Sequence, residues 1–465
     1  MANPKSEIRN PKLQKLVPLL LDWFAANARD LPWRRTRDPY AIWVSEIMLQ
    51  QTQVKTVIPF WERWLRELPT IEAAAKAPSA KIHKLWEGLG YYTRVRNLQK
   101  AAKQIVAQHE AALETCRRRG DESQIKNKLK TPHVVSYKFP ENFGDVLALP
   151  GIGRYTAGAI CSIAFNQPMP ILDGNVIRVL TRIFGIAENP KEKLTNTRLW
   201  QLAEELVTHA ARLTPSRSSR REEAHSKIRN PKSEIRTGQS LLTSSATFTG
   251  DCSALNQALM ELGALVCTSR NAQCLVCPVK KLCVAFQENR VGELPNLGKR
   301  EAATARRFVA FVVESNGRFL VRQRPAGVVN AQLWEFPNVE VFAPALPLGA
   351  PASRRRVADV FLAGLAGGTP TLPGQFPRPQ KLEPLCTIKH SITRYRITLE
   401  AWRAELAHLR AGTLGTVPAR NGSQAVNVPG RCPAFHGKWL TRAQLHQLAF
   451  TSAHKKILGR LGQRR

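Results

Sequence analysis

Four cysteines, Cys267, Cys274, Cys277 and Cys283, fall within 17 residues in the spacing C-x6-C-x2-C-x5-C. Four thiolates so close together can ligate one metal centre. A zinc ribbon uses two short paired knuckles, whereas only one such pair occurs here. An iron–sulfur cluster held by four cysteines fits better, with a structural zinc site as the alternative. Two carboxylates invite acid–base chemistry. Glu46 lies among Trp43, Ile47 and Met48 in a mostly apolar segment. Burial there would disfavour its charged form and raise its pKa, as a general acid needs. From the pattern alone, a glutamate on the solvated face of that helix is the favoured reading. Asp173, in Leu172-Asp173-Gly174-Asn175-Val176, precedes a helical run and reads as an N-cap or as a carboxylate at the mouth of a cleft. The amides of Gln50, Gln51 and Gln53 can bond base edges or cap helices.

The elements that must position these groups are mainly helical. Leu16, Leu19, Leu20, Trp23 and Phe24 recur at helical spacing, as do Trp43, Ile47 and Val54. Leu149-Pro150-Gly151-Ile152-Gly153 separates two helical segments. Its glycines let backbone N–H groups converge at a helix N-terminus, which makes either a phosphate cradle or a tight helix–helix turn. From Arg306 the periodicity changes to alternating strands, FVAFVVE, GRFLVRQRP and LWEFPNVEVF, with a strand pair near 388–402 and a possible helix at 354–366. The fold class is therefore a mainly α N-terminal part followed by an α+β module. The domains run 12–287 and 305–465 with a linker at 288–304. Residues 113–138 and 214–250 lose the helical pattern and read as disordered basic insertions. Asn-Pro-Lys-Ser-Glu-Ile-Arg at 3–9 recurs at 230–236, a repeat too short and polar for a solenoid.

Lys and Arg number 69 against 35 Asp and Glu, a formal net charge of +34 in 465 residues. Such a surface attracts phosphate backbones. No apolar run approaches the ~18 residues that span a bilayer, and the first residues carry no apolar core of a signal peptide. A cytoplasmic, nucleoid-associated monomer is expected. The other five cysteines, Cys116, Cys161, Cys252, Cys386 and Cys432, are scattered and read as reduced thiols.

Six motifs occur in order: LPW at 31–33, SEIMLQQTQV at 45–54, GLGYY at 88–92, LPGIGRYTAGAI at 149–160, LDGNVIRV at 172–179 and the four-cysteine loop. Together they resemble the adenine DNA glycosylases of MutY type, in the helix-hairpin-helix glycosylase superfamily. The resemblance covers 12–287 apart from the two insertions and continues into the C-terminal module. It implies a six-helix barrel domain, a [4Fe-4S] domain at 267–283, and a Nudix-like module that senses 8-oxoguanine. It implies as partner double-stranded DNA holding adenine opposite 8-oxoguanine or guanine, the adenine being flipped out and excised.

By this match Glu46 would protonate adenine N7. Asp173 would stabilise the oxocarbenium-like sugar, and Asn175 would support Asp173 by hydrogen bonding. Tyr155 stands where bifunctional relatives carry a catalytic lysine. A tyrosine forms no Schiff base, so a monofunctional glycosylase is expected. Gln51 and Tyr91 match residues that wedge into the stack, and Arg34 and Glu261 match the adenine pocket. Gly151 and Gly153 would hold the DNA backbone, with Arg270, Lys280 and Lys281 as further phosphate contacts.

The C-terminal module keeps Arg322-Gln323-Arg324-Pro325 and Leu333-Trp334-Glu335-Phe336-Pro337, but residues 349–367 contain no Glu. The metal-binding glutamates of Nudix hydrolases are thus missing, and recognition without pyrophosphatase activity is expected. The lesion-reading stretch, usually Phe-Ser-His in the family, is Ile392-Thr393-Arg394. Thr393 keeps a hydroxyl and Arg394 puts a charged donor in place of histidine. The alternatives are an endonuclease III-like glycosylase/lyase, disfavoured by Tyr155, and a non-catalytic iron–sulfur DNA-binding protein, disfavoured by Glu46 and Asp173.

Overall fold

The computed structural model describes residues 11–118, 137–213, 251–298, 301–341, 380–392, 394–405 and 437–461. Contacts divide the chain into two compact units, one of residues 1–76 and 97–299, the other of 77–96 and 300–465.

The first unit is helical: α1 Pro11–Asn27, α2 Pro39–Leu49, α3 Val54–Glu67, α4 Ile71–Lys76, α6 Thr93–Arg118, α7 Phe143–Leu147, α8 Arg154–Phe165, α9 Gly174–Phe184, α10 Lys193–Arg212, α11 Cys252–Leu265 and α12 Val284–Gln287. α5, Ser79–Trp86, belongs to the other unit. Apolar residues three and four apart bury one stripe of each core helix. Leu13, Leu16, Val17 and Leu20 do so on α1, Val176, Val179, Leu180 and Ile183 on α9, and Leu255, Leu259 and Leu262 on α11. These stripes share one core, each large side chain contributing roughly 1.5–3 kcal/mol on burial. α2 is different, because every residue from Tyr40 to Met48 is buried. Asp38 caps its start by accepting from the backbone N–H of Tyr40 and Ala41, at 3.0 and 3.3 Å.

The region expected to be a disordered insertion from 113 is still helix up to Arg118, where α6 ends. Tyr137 Oη donates to Glu110 Oε1 (3.2 Å) and His109 Nε2 to Lys138 O (2.8 Å), so the far end returns onto the same helix. Residues 119–136 and all of 214–250 lie outside the described residues. The first half of the expected linker is anchored rather than free. Leu294 is buried against Cys283 and Ala285, and Asn296 Nδ2 donates to Ala187 O at 3.3 Å.

The second unit holds a seven-stranded sheet. Its strands are β1 Thr304–Ser315, β2 Arg318–Gln323, β3 Trp334–Glu335, β4 Asn338–Val341, β5 Lys381–Ile392, β6 Tyr395–Glu405 and β7 Lys438–Thr441. The order is β3-β2-β1-β6-β5, with β4 on β1 and β7 on β2. β1 runs parallel to β6, and β5 and β6 form an antiparallel hairpin closing at Ile392 and Tyr395. Pro384 sits at an irregularity in β5, the last strand of that order, where a missing N–H is tolerated. Two helices, α13 Arg442–Gln447 and α14 Ser452–Arg460, follow β7. α14 packs Ile457 and Leu458 against Val312, Val321 and Leu399 in the sheet's core. The possible helix at 354–366 lies outside the described residues.

Residues 77–96 join this unit although the sequence reading places them in the first region. Glu87 is the reason. It is buried, and its carboxylate takes Phe450 N (3.0 Å), Lys455 Nζ (2.8 Å) and Lys84 Nζ (2.9 Å). Lys84 Nζ also donates to the carbonyls of His446 and Leu448, at 2.8 and 3.0 Å, and Arg96 Nη1 to Ala331 O at 3.0 Å.

Candidate active site and cysteine cavity

α7 and α8 form a helical hairpin whose turn contains Gly151 and Gly153. Gly151 has φ +79°, and a Cβ there would come within 2.5 Å of the Asn97 side chain. Only glycine fits that backbone without strain. Gly153 differs: its φ is −97° and it is the N-cap of α8. A Cβ at Gly153 would meet nothing within 4 Å, which leaves the helix N-terminus open to an approaching anion.

Tyr155, one residue into α8, donates its hydroxyl to Glu46 Oε2 at 2.9 Å, with Met260 Sδ 3.3 Å away. Glu46 is only 5% exposed, so the solvated-face reading of this residue is wrong. The helix has no solvated face, because α3 and α8 both pack on it. Burial pushes the Glu46 carboxyl up to about 7, against the opposing hydrogen bond from Tyr155. The nearby Asp173 charge pushes it up as well, and Arg34 pulls it down. Burial and the neighbouring Glu46 also raise the Tyr155 hydroxyl, which keeps its proton.

Asp173 is indeed the N-cap of α9: its Oδ1 accepts from Val176 N at 2.8 Å. Its Oδ2 accepts from Asn175 Nδ2 at 2.9 Å. The capping and catalytic readings are therefore compatible, since the cap fixes a carboxylate in one orientation. Asn175 is oriented in turn by Arg178 Nη2, which donates to Asn175 Oδ1 (2.9 Å) and to Gly263 O (2.7 Å). Arg178 Nε donates to Cys267 O at 2.7 Å. Gly263 allows this packing, because a Cβ there would lie 2.7 Å from Asn175 Cβ.

Arg34 and Glu261 meet, but not as a surface pair. Glu261 is 1% exposed. Arg34 reaches both of its oxygens, at 3.1 and 3.0 Å, and Arg29 does the same at 2.8 and 2.7 Å. Burial alone would raise the Glu261 carboxyl, but the two guanidinium groups outweigh it and hold it down at about 2.

Gln51 is exposed with φ 56°, in the turn between α2 and α3. The adjacent Gln50 amide lies 3.4 Å from Thr156 Oγ1. Tyr91, in the second unit, is 44% exposed with φ 47°. Left-handed backbone at two exposed side chains larger than asparagine is uncommon and marks strained, projecting turns. Arg394 stacks over the Tyr395 ring, 5.4 Å from its centroid. Thr393 lies outside the described residues. Arg270 and Lys281 are exposed, while Lys280 Nζ donates to Leu275 O at 2.6 Å.

Cys267, Cys274, Cys277 and Cys283 line one cavity with Arg182, Val279 and Phe286. Arg182 Nη1 lies 3.4 Å from Cys267 Sγ, and Cys283 Sγ lies 3.4 Å from Arg182 O. Among the described residues, no three His, Cys, Asp or Glu are placed to hold a single metal ion. The four thiols line one cavity, so this donor set is gathered where it could hold a metal centre.

Arg29, Arg178 and Arg182 were not anticipated from the sequence. Arg178 lies inside LDGNVIRV and bonds Asn175 locally, but two of its partners, Gly263 and Cys267, are 85 and 89 residues away. Arg29 stands next to the LPW motif, yet its partner Glu261 is 232 residues on.

A helical hairpin open to phosphate, beside two carboxylates in contrasting surroundings, defines a base-excising DNA glycosylase. Residues 44–205 match the HhH-GPD superfamily of base excision DNA repair proteins, and residues 308–460 match the NUDIX domain. An adenine DNA glycosylase of Rattus norvegicus is 30% identical, over 94% of this chain and 76% of that protein. Another of Arabidopsis thaliana is 34% identical over 75% of this chain, which spans about 50% of that protein's length. The chain belongs to the adenine DNA glycosylase family. It is an enzyme of base excision repair that hydrolyses N-glycosidic bonds. Among solved structures, a thermostable thymine-DNA glycosylase aligns over 60% of this chain and 98% of its own, at 24% identity and a TM-score of 0.43.

Proposed function

We propose that the chain removes adenine paired with 8-oxoguanine or guanine in duplex DNA, as a monofunctional glycosylase. The observation that carries this reading is the pairing of a buried Glu46, its carboxyl near 7, with a hydrogen-bonded Asp173 close enough to raise it. Cleaving the glycosidic bond needs a proton on the purine and negative charge beside the sugar, and two carboxylates in unlike environments supply both. Glu46 gives its proton to adenine N7, and Tyr155 keeps that carboxyl aimed. Asp173, fixed by Val176 N and Asn175, stabilises the oxocarbenium-like sugar. Arg34 and Glu261 shape the pocket wall. Gln51 and Tyr91 enter the stack near the mispair, while Gly151 and Gly153 seat its backbone.

Cys267, Cys274, Cys277 and Cys283 hold a [4Fe-4S] cluster in this reading. When bound, that group crosslinks the loop, whose Cys267 carbonyl accepts from Arg178. Iron and sulfide quantitation with the visible absorption spectrum tests it. Four irons per chain are expected, and one zinc per chain would overturn it. The C-terminal unit recognises the oxidised guanine and lacks pyrophosphatase activity. We place the enzyme in the cytoplasm, on the nucleoid, as a monomer.

The test is a single-turnover assay on duplexes with adenine opposite 8-oxoguanine, adenine opposite guanine, and thymine glycol. Adenine loss that appears as a break only after alkali is the expected result. Thymine glycol cut without alkali, with adenine retained, would place the chain among the glycosylase/lyases instead. The ratio of the first two rates reports whether Thr393 and Arg394 read the lesion.

A further inference from the structure

Arg154 opens α8, the helix whose N-terminus Gly153 leaves uncovered. Its side chain is exposed, and its guanidinium carbon lies over the Trp200 ring, 4.0 Å from the centroid. Trp200 comes from α10, half-buried, with its apolar body packed against the helical core. Among the described residues, Arg154 has no carboxylate partner. The N-terminus is the positive end of a helix dipole, so a cation in the first turn weakens the helix rather than supporting it. α8 carries no acidic residue in that turn to offset the repulsion. The ring under the guanidinium recovers part of the loss. It occupies only one face, and the N–H donors around the guanidinium edge stay available to fork onto an anion.

We propose that Arg154 grips a phosphate of the DNA backbone beside the hairpin turn, and that Trp200 is the positioning residue that holds its guanidinium there. A phosphate at that point meets the open start of α8 and, one residue on, a charged fork. The cation that the helix disfavours is then paired with the anion that the helix attracts. Holding the arginine against a ring in advance reduces the side-chain freedom lost on binding. Contacts of this kind set register and carry no base information, so the arginine serves every duplex alike. The proposal rests on the reading of Gly151 and Gly153 as the backbone seat, but its test does not depend on catalysis.

The experiment measures equilibrium binding of the full chain to duplexes across a range of salt, with variants checked by circular dichroism and melting. Arg154→Ala should reduce the slope of log Kobs against log salt by about 0.9, equally for undamaged DNA and for adenine opposite 8-oxoguanine. Arg154→Lys should keep the parent slope. Lys76→Ala, ion-paired to Glu72 on α4, should keep it too. Trp200→Leu leaves the charge in place, so the slope should hold while affinity falls about two- to fivefold, the scale of an exposed cation–π contact. Trp200→Phe keeps a ring and should lose less. In the Arg154→Ala background, Trp200→Leu should cost no further affinity. The same loss in both backgrounds would mean that Trp200 acts only on the fold, and would overturn its positioning role. An unchanged slope in a folded Arg154→Ala variant would overturn the phosphate contact. So would a loss confined to the lesion duplex, or competition by inorganic phosphate at matched ionic strength that exceeds chloride and disappears in Arg154→Ala. If adenine excision fails while the slope still falls, the arginine contact stands and the proposed function does not.

Discussion

Glu46 carries two consequences at the scale of single residues. In the proposed role of proton donor it works only while protonated, so the excision rate should fall as pH rises through about 7. Glu46→Gln should lower single-turnover excision by roughly 10²–10⁴-fold while duplex affinity is kept. Its effect on stability has the opposite sign. The folded carboxyl lies above its unfolded value of 4.5, so the wild type is most stable below that value and loses stability as pH rises to about 7. Glu46→Gln should therefore be more stable than the parent at pH 8, by up to about 3 kcal/mol. The difference should vanish near pH 4, as read by urea melts at the two pH values. Tyr155→Phe removes a hydrogen bond that favours the ionised form of Glu46. The alkaline limb of its pH–rate profile should move upward, and a downward shift would contradict the assigned donor role.

At the scale of elements, α9 and α11 are held at close range by Gly263, whose hydrogen faces the Asn175 backbone and side chain. Gly263→Ala should cost roughly 1–3 kcal/mol in a denaturant melt. It should also slow excision by displacing Asn175 from Asp173, an effect that overpacking elsewhere would not produce. The element scale also shows what could be read from the chain alone. The LPGIG turn demands a glycine at positive φ, and Gly151 has one. The N-cap at Asp173 and the hairpin of β5 and β6 follow from similarly local rules. Glu46 misled because amphipathic reasoning assumes a polar face, and α2 is surrounded. Arg29, Arg178 and Arg182 escaped because an arginine's partner is a long-range fact. Residue type and spacing cannot show that an acid 232 residues away folds against it.

For the whole molecule, Glu87 ties an early segment to a late one. Its carboxyl is held below its usual range: burial opposes this, but Lys455 and Lys84 outweigh it. The stability it supplies is present above the usual glutamate range and is lost as pH falls through the folded value. Glu87→Ala should destabilise the C-terminal unit by roughly 1–3 kcal/mol, the cost of losing the hydrogen bonds of a buried carboxylate whose lysine partners are half exposed. Differential scanning calorimetry should show the shift in the transition assigned to that unit, with Asp173-dependent excision at low temperature preserved.

The same tie bears on how the chain is made. Residues 77–96 leave the ribosome more than two hundred residues before the strands and helices they pack with. N-terminal segments generally fold first during synthesis, yet this one keeps a carboxylate waiting for a lysine not yet translated. The C-terminal unit therefore cannot mature as a self-contained tail. A release-and-chase experiment on stalled nascent chains should find 77–96 protease-sensitive until Lys455 has emerged, and protected soon afterwards.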